Sequence, residues 1–246
     1  MTTSAIELQQ LVKHPTGKPA ISVTSASKSA ATHFTLNSPD SERRTRLEQF
    51  IADKFNAIYG AAIVEFFPLL LSRSDDEQLS SVVGLRPGTE RPLFLEQYLD
   101  SSLEQAIAQQ SGLDVGRERL MEIGNLASSY RSGNQFMFML LTAVLSRAGY
   151  DWVVFTATAQ VRALLARLDF HPLTLCDARE AKLVNKKQVW GSYYQSQPMV
   201  QAGSIAEGMA ILHRNHFART LLSNHEAEIE TLARELISLR SGQQIR

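Results

Sequence analysis

The chain has 246 residues, 44% of them hydrophobic, and its 25 basic side chains balance its 25 acidic ones. A chain of this length buries roughly 70 to 75% of its unfolded surface, so it can form a core without disulfides, and its single cysteine, Cys176, excludes an intramolecular disulfide. The zero formal net charge gives no overall attraction to nucleic acid or to anionic lipid.

The sequence shows neither a membrane span nor a secretory signal. Its longest apolar run, Phe136 to Val144, is much shorter than the eighteen or so residues that a membrane helix needs. The stretch from Met1 to Pro19 is polar and mixed rather than apolar. We therefore predict a cytoplasmic globular protein that has no transmembrane segment and binds no nucleic acid.

The first elements in chain order are a strand, a helix and a hairpin. Residues 1–31 show no sustained hydrophobic period, which predicts a flexible N-terminal extension. His33 to Asn37 alternates like a strand, and the apolar spacing from Leu47 to Ile58 predicts a helix. Two β-type runs, Glu65 to Arg73 and Gln78 to Leu85, are separated by polar residues and predict an antiparallel hairpin.

The middle of the chain alternates between helical and strand patterns. Phe94 to Gln110 is helical in its second half, and Arg119 to Ala127 has strand character. Ser128 to Asn134 is rich in turn-forming residues and predicts a loop. Phe136 to Arg147 is apolar on nearly every face, which predicts a helix buried beneath other elements.

The last sheet elements precede a long helical segment. Trp152 to Phe155 is a continuous apolar strand, which favours a central position in a sheet covered on both faces. Val161 to Leu168 carries a helical stripe, and His171 to Leu175 has strand character. Ile205 to Leu239 is helical throughout.

These elements predict an α/β fold with a mixed central sheet flanked by helices. We expect residues 32–203 to form one domain and residues 204–246 to form a C-terminal helical arm. A homodimer could form through that arm, although its role cannot be read from the sequence.

The most informative segment is the strand that leads through the polar loop into the buried helix. Such a junction aims several unpaired backbone N–H groups at one point, where a phosphate can bind. The candidate phosphate-binding residues are Arg131, Ser132, Gly133, Asn134 and Gln135. An ordinary surface position in a polar loop is the alternative for Arg131.

The order of elements resembles the acyltransferase fold of the GNAT superfamily. In that superfamily the fourth strand, the following loop and the next helix hold the pyrophosphate of an acyl-CoA. Glu122 to Ala127 is also similar to the strand of acyl-homoserine-lactone synthases, which take acyl groups from acyl carrier protein. Asn125 stands where those enzymes carry Arg, so their amino-acid substrate is not implied for this chain.

A closer resemblance covers the chain from about Ser41 to Gly203. The segments that carry it are Phe94 to Leu99, Glu122 to Ala127, Trp152 to Thr158 and Trp190 to Tyr194. Together they resemble the bacterial thermostable hemolysin family. The family name implies lysis of red cells, which could be an indirect effect of an acylated amphiphile that the protein makes.

These resemblances imply a GNAT-like N-acyltransferase. The donor would be a phosphopantetheine thioester of coenzyme A or of acyl carrier protein, and the acceptor an amine-type small molecule. Two alternatives stay open: a membrane-active hemolysin, and a module that binds acyl thioesters without turnover. The six histidines show no metal-ligand spacing, so we expect no metal site.

Three residues are candidates for catalysis. Glu122 could take a proton from the acceptor amine, and the alternative is a glutamate on the solvent face of an edge strand. Asn125 could orient the acceptor or could simply cap the loop. Tyr98 could protonate the leaving thiolate, but it could equally be a half-buried structural tyrosine.

Four further residues are candidates for binding the substrate. Glu96 lies in a segment that would border the acceptor side of the site. Trp190, Tyr193 and Tyr194 form an unusual concentration of aromatic residues outside helical sequence, and they could line a substrate pocket. Packing of these aromatics on the sheet is the alternative.

Overall fold

The computed structural model describes residues 32–90, 92–129, 131–184 and 188–243, and for 131–134 and 241–243 it describes the backbone alone. The predicted N-terminal extension, residues 1–31, lies outside the described residues.

The described part of the chain contains seven strands and seven α-helices. The strands are β1 (Thr32–Asn37), β2 (Leu69–Asp75), β3 (Gln78–Pro87), β4 (Leu120–Ser128), β5 (Trp152–Ala157), β6 (Leu173–Asp177) and β7 (Met199–Ser204). The helices are α1 (Arg44–Tyr59), α2 (Leu103–Ser111), α3 (Arg131–Arg147), α4 (Ala159–Arg167), α5 (Ile205–Arg214), α6 (His216–Asn224) and α7 (Glu226–Gln243). A short 3₁₀ helix, Phe94–Tyr98, precedes α2.

The strands form one mixed sheet in the order β1-β2-β3-β4-β5-β7-β6. Strands β4 and β5 pair in parallel, and the other neighbouring strands pair antiparallel. The predicted mixed α/β sheet is therefore confirmed, and β5 has the central position that its apolar run favours. The sequence pattern did not predict β7, which lies between β5 and β6. Its sequence combines Gln201, Gly203 and Ser204 and lacks a β-branched run, so pairing on both sides determines its conformation.

The predicted hairpin is confirmed, although β2 begins at Leu69 rather than at Glu65. Its turn consists of Asp76 and Glu77, whose φ angles of 47° and 65° are both positive. Two-residue turns of this kind match the right-handed twist of the strands that they join.

The loop predicted from Ser128 to Asn134 is too long. Helix α3 already begins at Arg131, so the residues through Asn134 form its first turn. Polar and small residues suit this position because the first backbone N–H groups of a helix have no partner within the helix.

Helix α3 lies at the centre of the larger core. Its residues Met137 and Leu140 are fully buried between the sheet and the three C-terminal helices. The segment predicted as one helical stretch divides at Asn215 and His225 into α5, α6 and α7, which pack on α3. Apolar residues from all three helices share the core with α3: Leu212, Leu222, Leu232 and Leu236.

On the opposite face of the sheet, α1 covers β2 to β4. The rest of that face is covered by the 3₁₀ helix, α2 and the segment around Trp190. Leu95, Leu103 and Ile107 are buried there against Trp152 and neighbouring strand residues. The candidate residues on this face are thus held between the sheet and a layer made of the 3₁₀ helix, α2 and the segment around Trp190.

The Gly191 position tests how tightly that layer is attached to α1. Gly191 has a φ angle of +54°, and a Cβ atom there would lie 2.0 Å from the backbone oxygen of Tyr59. Gly112 is a matched control, because its φ angle is +71° but a Cβ atom would meet no atom within 4 Å.

We expect Gly191→Ala to lower the free energy of unfolding by about 3 kcal/mol or more, and Gly112→Ala by about 1 kcal/mol. Both substitutions strain the backbone, but only the first forces the Gly191 segment away from α1. Urea denaturation of the two variants measures the difference, and equal losses would contradict the packing described for Gly191.

Candidate active site

The sheet opens between its two parallel strands. Strand β4 pairs with β5 from Leu120 to Ile123, and the pairing stops at Ile123 and Phe155. Beyond that point β4 continues beside β3, whereas β5 continues to Ala157 beside β7. The centre of the sheet therefore contains an opening between two strand edges, next to the end of β4 where α3 begins.

A β-bulge on β4 lies at this opening. Gly84 pairs with Gly124 and Val82 pairs with Ala127, so β4 has one residue more than β3 between these pairs. Asn125 takes a φ angle of +48°, which asparagine tolerates better than most residues. Its Oδ1 accepts a hydrogen bond from the N–H of Phe67 at 2.8 Å. The Asn125 side chain thus attaches the Phe67 segment to the bulge, and a role in orienting an acceptor stays a prediction.

Glu122 lies just before the opening and is fully buried, with 0% of its surface exposed. Its Oε1 accepts a hydrogen bond from the N–H of Leu95 at 2.7 Å, and its Oε2 accepts one from the N–H of Phe94 at 3.1 Å. The alternative of a solvent-facing glutamate on an edge strand is therefore wrong, because β4 is a central strand with both neighbours in place. In this conformation the start of the 3₁₀ helix covers the carboxylate.

The buried position changes the acidity of Glu122. Burial raises the pKa of its carboxyl group to about 7, and the opposing effects of Arg86 and of the two backbone N–H groups are smaller. A carboxyl group with a pKa near neutrality can both take and give a proton at physiological pH.

Arg86 and Phe67 complete the surroundings of Glu122, and the sequence pattern identified neither. Arg86 pairs with Glu122 in the β3–β4 register, and its Nη1 lies 3.8 Å from the carboxylate Oε2. Its guanidinium stacks over the ring of Phe67 at 4.5 Å from the centroid. That ring lies against Gly124, where a Cβ atom would come within 2.6 Å of it. The one sequence signal for this pair was the position of Arg86, directly after the apolar run of β3.

Tyr98 and Tyr194 are joined on the Glu122 face of the sheet. Their hydroxyl oxygens lie 2.5 Å apart, and Tyr98 is 2% exposed. Burial first, and then the hydrogen bond with Tyr194, raise the pKa of Tyr98 well above its ordinary value. Tyr98 therefore keeps its proton at neutral pH and is suited to donating a hydrogen bond rather than to giving up the proton.

The predicted aromatic residues form one cluster with the 3₁₀ helix. The Trp190 ring lies 6.0 Å from the Phe94 ring and 5.3 Å from the Tyr193 ring. The Tyr193 hydroxyl donates a hydrogen bond to Oγ1 of Thr156 at 3.0 Å, and burial raises the pKa of Tyr193 to about 12. Because Thr156 belongs to the part of β5 that has left β4, the cluster reaches the opening from the β5 side.

Glu96 points away from this group. Its carboxylate pairs with Arg117 at 2.6 Å and accepts a hydrogen bond from the N–H of Leu93 at 3.0 Å. The hydrogen bond from Arg117 lowers the pKa of Glu96. Arg117 also pairs with Glu104 of α2 at 2.8 Å, so this network fixes the 3₁₀ helix to α2. Contact between Glu96 and an acceptor stays a prediction.

The candidate phosphate-binding residues belong to the first turns of α3. The side chains of Arg131, Ser132, Gly133 and Asn134 lie outside the described residues, and the Gln135 side chain is half-buried. Because β4 ends at Ser128, the backbone N–H groups of this turn follow directly on the strand that borders the opening.

An apolar pocket lies on the other face of β4. It contains about 620 Å³ of empty space, including its open mouth, and it lies between the sheet, α3 and α5. Ile123 and Phe155, the last paired residues before the opening, both line it. Gly208 of α5 also lines the pocket, and a Cβ atom there would lie 3.0 Å from Cγ2 of Thr142.

Two kinds of feature are absent from the part of the chain that the structure describes. None of its helices is long and apolar enough to cross a membrane. Within the same residues, histidine, cysteine and carboxylate side chains form no group of three that could hold a metal ion.

Comparison with protein families gives a match over residues 37–209 to the family described as thermostable hemolysin. No curated protein matches the chain in sequence.

Several solved structures are similar to this one. FeeM, an N-acyl amino acid synthase from uncultured soil microbes, is 14% identical with a TM-score of 0.52, over 79% of this chain and 100% of FeeM. The AHL synthase LasI is 7% identical with a TM-score of 0.49, over 72% of this chain and 91% of LasI. BjaI, a CoA-dependent acyl-homoserine lactone synthase solved with SAM and isopentyl-CoA, is 10% identical with a TM-score of 0.48, over 79% and 89% of the two chains. The likeness to FeeM shows a common fold and confirms the predicted GNAT-like architecture.

The raised pKa of Glu122 predicts a specific dependence of stability on pH. Below its ordinary pKa of 4.5 the carboxyl group is protonated in the folded and unfolded chains alike. As the pH rises from 4.5 to 7, the unfolded chain loses this proton first, so the folded state is progressively disfavoured. The loss amounts to roughly 3 kcal/mol at most and does not increase above pH 8.

Urea denaturation between pH 4.5 and 8 measures this effect as the difference in unfolding free energy between the wild type and Glu122→Gln. We expect that difference to fall as the pH rises. Glu180→Gln is the control, because it removes a carboxyl group that is exposed at the surface instead of buried. A constant difference for Glu122→Gln would contradict the raised pKa.

Proposed function

The chain belongs to the thermostable hemolysin family, and from that starting point we propose that it is an N-acyltransferase. The donor is a phosphopantetheine thioester and the acceptor is an amine-type small molecule. The observation that carries the proposal is the opening between β4 and β5 beside a buried carboxyl group with a pKa near 7. FeeM shares the fold and is named an N-acyl amino acid synthase, which supports this type of reaction.

The opening suits the extended arm of the donor. Past Ile123 and Phe155 the facing edges of β4 and β5 do not pair with each other. A pantetheine arm carries amide groups, which can hydrogen-bond to a strand edge as an added strand does. Its phosphate would lie at the first turn of α3, where Arg131, Gly133 and the backbone N–H groups from Ser132 to Gln135 would bind it. Coenzyme A and acyl carrier protein both present this arm.

Glu122 carries the proton transfer, and Tyr98 acts as a hydrogen-bond donor. The acceptor nitrogen attacks the thioester carbonyl carbon, so a C–N bond forms and the C–S bond breaks. The proton that the nitrogen loses passes to the Glu122 carboxylate, which can give it on to the departing thiolate, while the Tyr98 hydroxyl donates a hydrogen bond to that sulfur and keeps its own proton. Both oxygens of Glu122 accept backbone N–H groups in this conformation. The acceptor therefore reaches the carboxylate through a bridging water, or after the start of the 3₁₀ helix moves away.

The remaining candidate residues lie beside the opening or hold the segment that covers Glu122. Asn125 borders the opening at the bulge, and Tyr193 contacts Thr156 on the β5 side, with Trp190 and Tyr194 packed against Tyr193. Glu96 fixes the 3₁₀ helix that covers Glu122, and its contact with the acceptor stays a prediction. Acyl carrier protein as donor, a homodimer through α5 to α7 and a cytoplasmic location stay predictions.

The apolar pocket suits the acyl chain. Because Ile123 and Phe155 line it, a chain attached at the opening can pass directly into it. Its lining is mostly apolar, so it favours acyl groups of several carbons over acetyl. Hemolysis would then follow from an acylated amphiphilic product.

The central test uses purified protein, octanoyl-CoA and a mixture of primary amines. Free thiol is measured with a colorimetric reagent, and the N-acyl product is identified by mass spectrometry. We expect Glu122→Gln to lower kcat by about 10²- to 10⁴-fold, because it removes the proton acceptor. Binding of octanoyl-CoA should change by less than about threefold, since the donor does not rely on this carboxylate.

Glu180→Gln is the control for this experiment and should retain full activity. Normal turnover by Glu122→Gln would contradict the assigned role. Binding of octanoyl-CoA by the wild type without any thiol release would instead favour a non-catalytic module. Leakage of liposomes by the protein in the absence of any thioester would favour direct lysis.

A second test concerns the length of the acyl chain. Gly208→Leu places a side chain in the pocket beside Thr142 and Phe170. Each methylene that the shortened pocket no longer buries costs about 0.8 kcal/mol, or about fourfold in kcat/KM. We therefore expect dodecanoyl-CoA to lose at least about tenfold in kcat/KM relative to butanoyl-CoA. Ala210→Leu, at an exposed position of the same helix, should leave this ratio unchanged, and an unchanged ratio in Gly208→Leu would contradict the assignment.

A further inference from the structure

Arg86 is a cation at the edge of the candidate site that the reaction described above does not use. It lies directly opposite Glu122 in the β3–β4 register, and 23% of its side chain is exposed, whereas Glu122 is fully buried. Solvent therefore reaches the guanidinium but not the carboxylate. A charged ligand that approaches Glu122 from this side meets Arg86 first.

The contact between Arg86 and Glu122 leaves the guanidinium able to bind a second anion. The separation of 3.8 Å between Nη1 and Oε2 is longer than a hydrogen bond, and the Glu122 oxygens already accept the N–H groups of Phe94 and Leu95. The guanidinium carbon lies over the Phe67 ring, 4.5 Å from its centroid, and this contact holds the cation beside Glu122. The N–H groups of a guanidinium can bind a carboxylate through two parallel hydrogen bonds.

We propose that Arg86 binds a carboxylate of the acceptor, so that the acceptor is an α-amino acid or a closely similar anionic amine. The inference rests on the proposed function, because it assigns the substrate class of the same site. It assigns Arg86 as a binding residue that the acceptor touches, next to the group that takes the proton.

An α-amino acid carries the two groups that this pair of side chains would contact. Its amine and its carboxylate are attached to one carbon atom, just as Arg86 and Glu122 are neighbours across one strand pair. With its carboxylate on Arg86, the amine is directed towards Glu122. The positive charge of Arg86 also separates the acceptor carboxylate from that of Glu122, which would otherwise repel it.

Charge balance favours the same ligand. Burial raises the pKa of Glu122, so near neutral pH the Glu122 carboxyl group is uncharged in a substantial part of the molecules. In those molecules the positive charge of Arg86 is not balanced by Glu122. The carboxylate of a bound amino acid compensates the charge of Arg86, whereas a simple alkylamine would add a second positive charge beside it. The site therefore selects against amines that lack an acidic group.

The test compares acceptors in matched pairs that differ only in the carboxylate. The pairs are tyrosine with tyramine, phenylalanine with phenethylamine, and leucine with isoamylamine, each supplied with octanoyl-CoA to the full chain. We expect at least one amino acid to exceed its decarboxylated partner by about tenfold or more in kcat/KM, since only the amino acid can form a charge-assisted pair of hydrogen bonds with Arg86. Arg86→Gln should lower kcat/KM for that amino acid by about tenfold more than for its partner, because loss of the positive charge beside Glu122 affects both acceptors alike and only the amino acid also loses a contact.

Arg73→Gln is the matched control. Arg73 also stacks on a phenylalanine ring, that of Phe136 at 4.7 Å, and pairs with a carboxylate, Asp75, but it lies two strands away from β4. Its substitution should leave the preference for amino acids unchanged, which separates loss of a stacked arginine from loss of acceptor binding.

The outcomes separate this inference from the function on which it rests. Carboxylate binding by Arg86 is overturned if thiol release is equal within every matched pair. It is also overturned if Arg86→Gln lowers the activity towards both members of a pair equally. Neither result contradicts acyl transfer itself. If no acceptor of either kind releases thiol, the proposed function fails and the inference fails with it. Should Arg86→Gln not fold, the wild-type comparison of the matched pairs decides by itself.

Discussion

The buried carboxylate of Glu122 is the constraint on which the rest of the site depends. Removing an ionised carboxylate from water costs several kcal/mol, and only well-placed hydrogen bonds and charges offset that cost. Here the backbone N–H groups of Phe94 and Leu95 supply two hydrogen bonds, and Arg86 supplies a nearby positive charge. The 3₁₀ helix must therefore lie where it does, over β4. The network of Arg117 with Glu96 and Glu104 then holds that helix to α2.

The second constraint is the change of partner along β4. Its first residues pair in parallel with β5, and its later residues, after the bulge, remain beside β3 alone. A bulge bends a strand and increases its twist, which accounts for the divergence at Ile123. Asn125 stabilises the bulge through its positive φ angle and its hydrogen bond with Phe67. The opening thus results from local backbone geometry that a side chain holds in place.

These two constraints give the opening different surroundings on its two sides. Because side chains alternate along a strand, Glu122 and Ile123 point to opposite faces of the sheet. One face carries the carboxyl group, the guanidinium and the tyrosines, and the other carries an apolar pocket beneath α3 and α5. An acyl transfer between a charged acceptor and a lipid-like donor suits this separation, because the acceptor needs polar surroundings and the acyl chain needs apolar ones.

The sequence by itself determined most elements of the fold. Hydrophobic period is a local property, so it identified the hairpin, the buried helix α3 and the central strand β5, and a glutamate within an apolar strand identified Glu122. Local period could not identify β7, whose sequence is a poor strand, nor the start of α3, where polar residues form the first turn. Nor could the local period identify residues whose role depends on a partner in a neighbouring strand.

Only the tertiary structure decided which residues surround the carboxyl group. Arg86 is 36 positions before Glu122 in the sequence, and the two meet because the register of β3 and β4 places them opposite each other. The same pairing brings Gly84 and Gly124 together and makes room for Phe67. The pKa of Glu122 follows from that packing, because a sequence shows that a carboxyl group is present but not how much water remains around it.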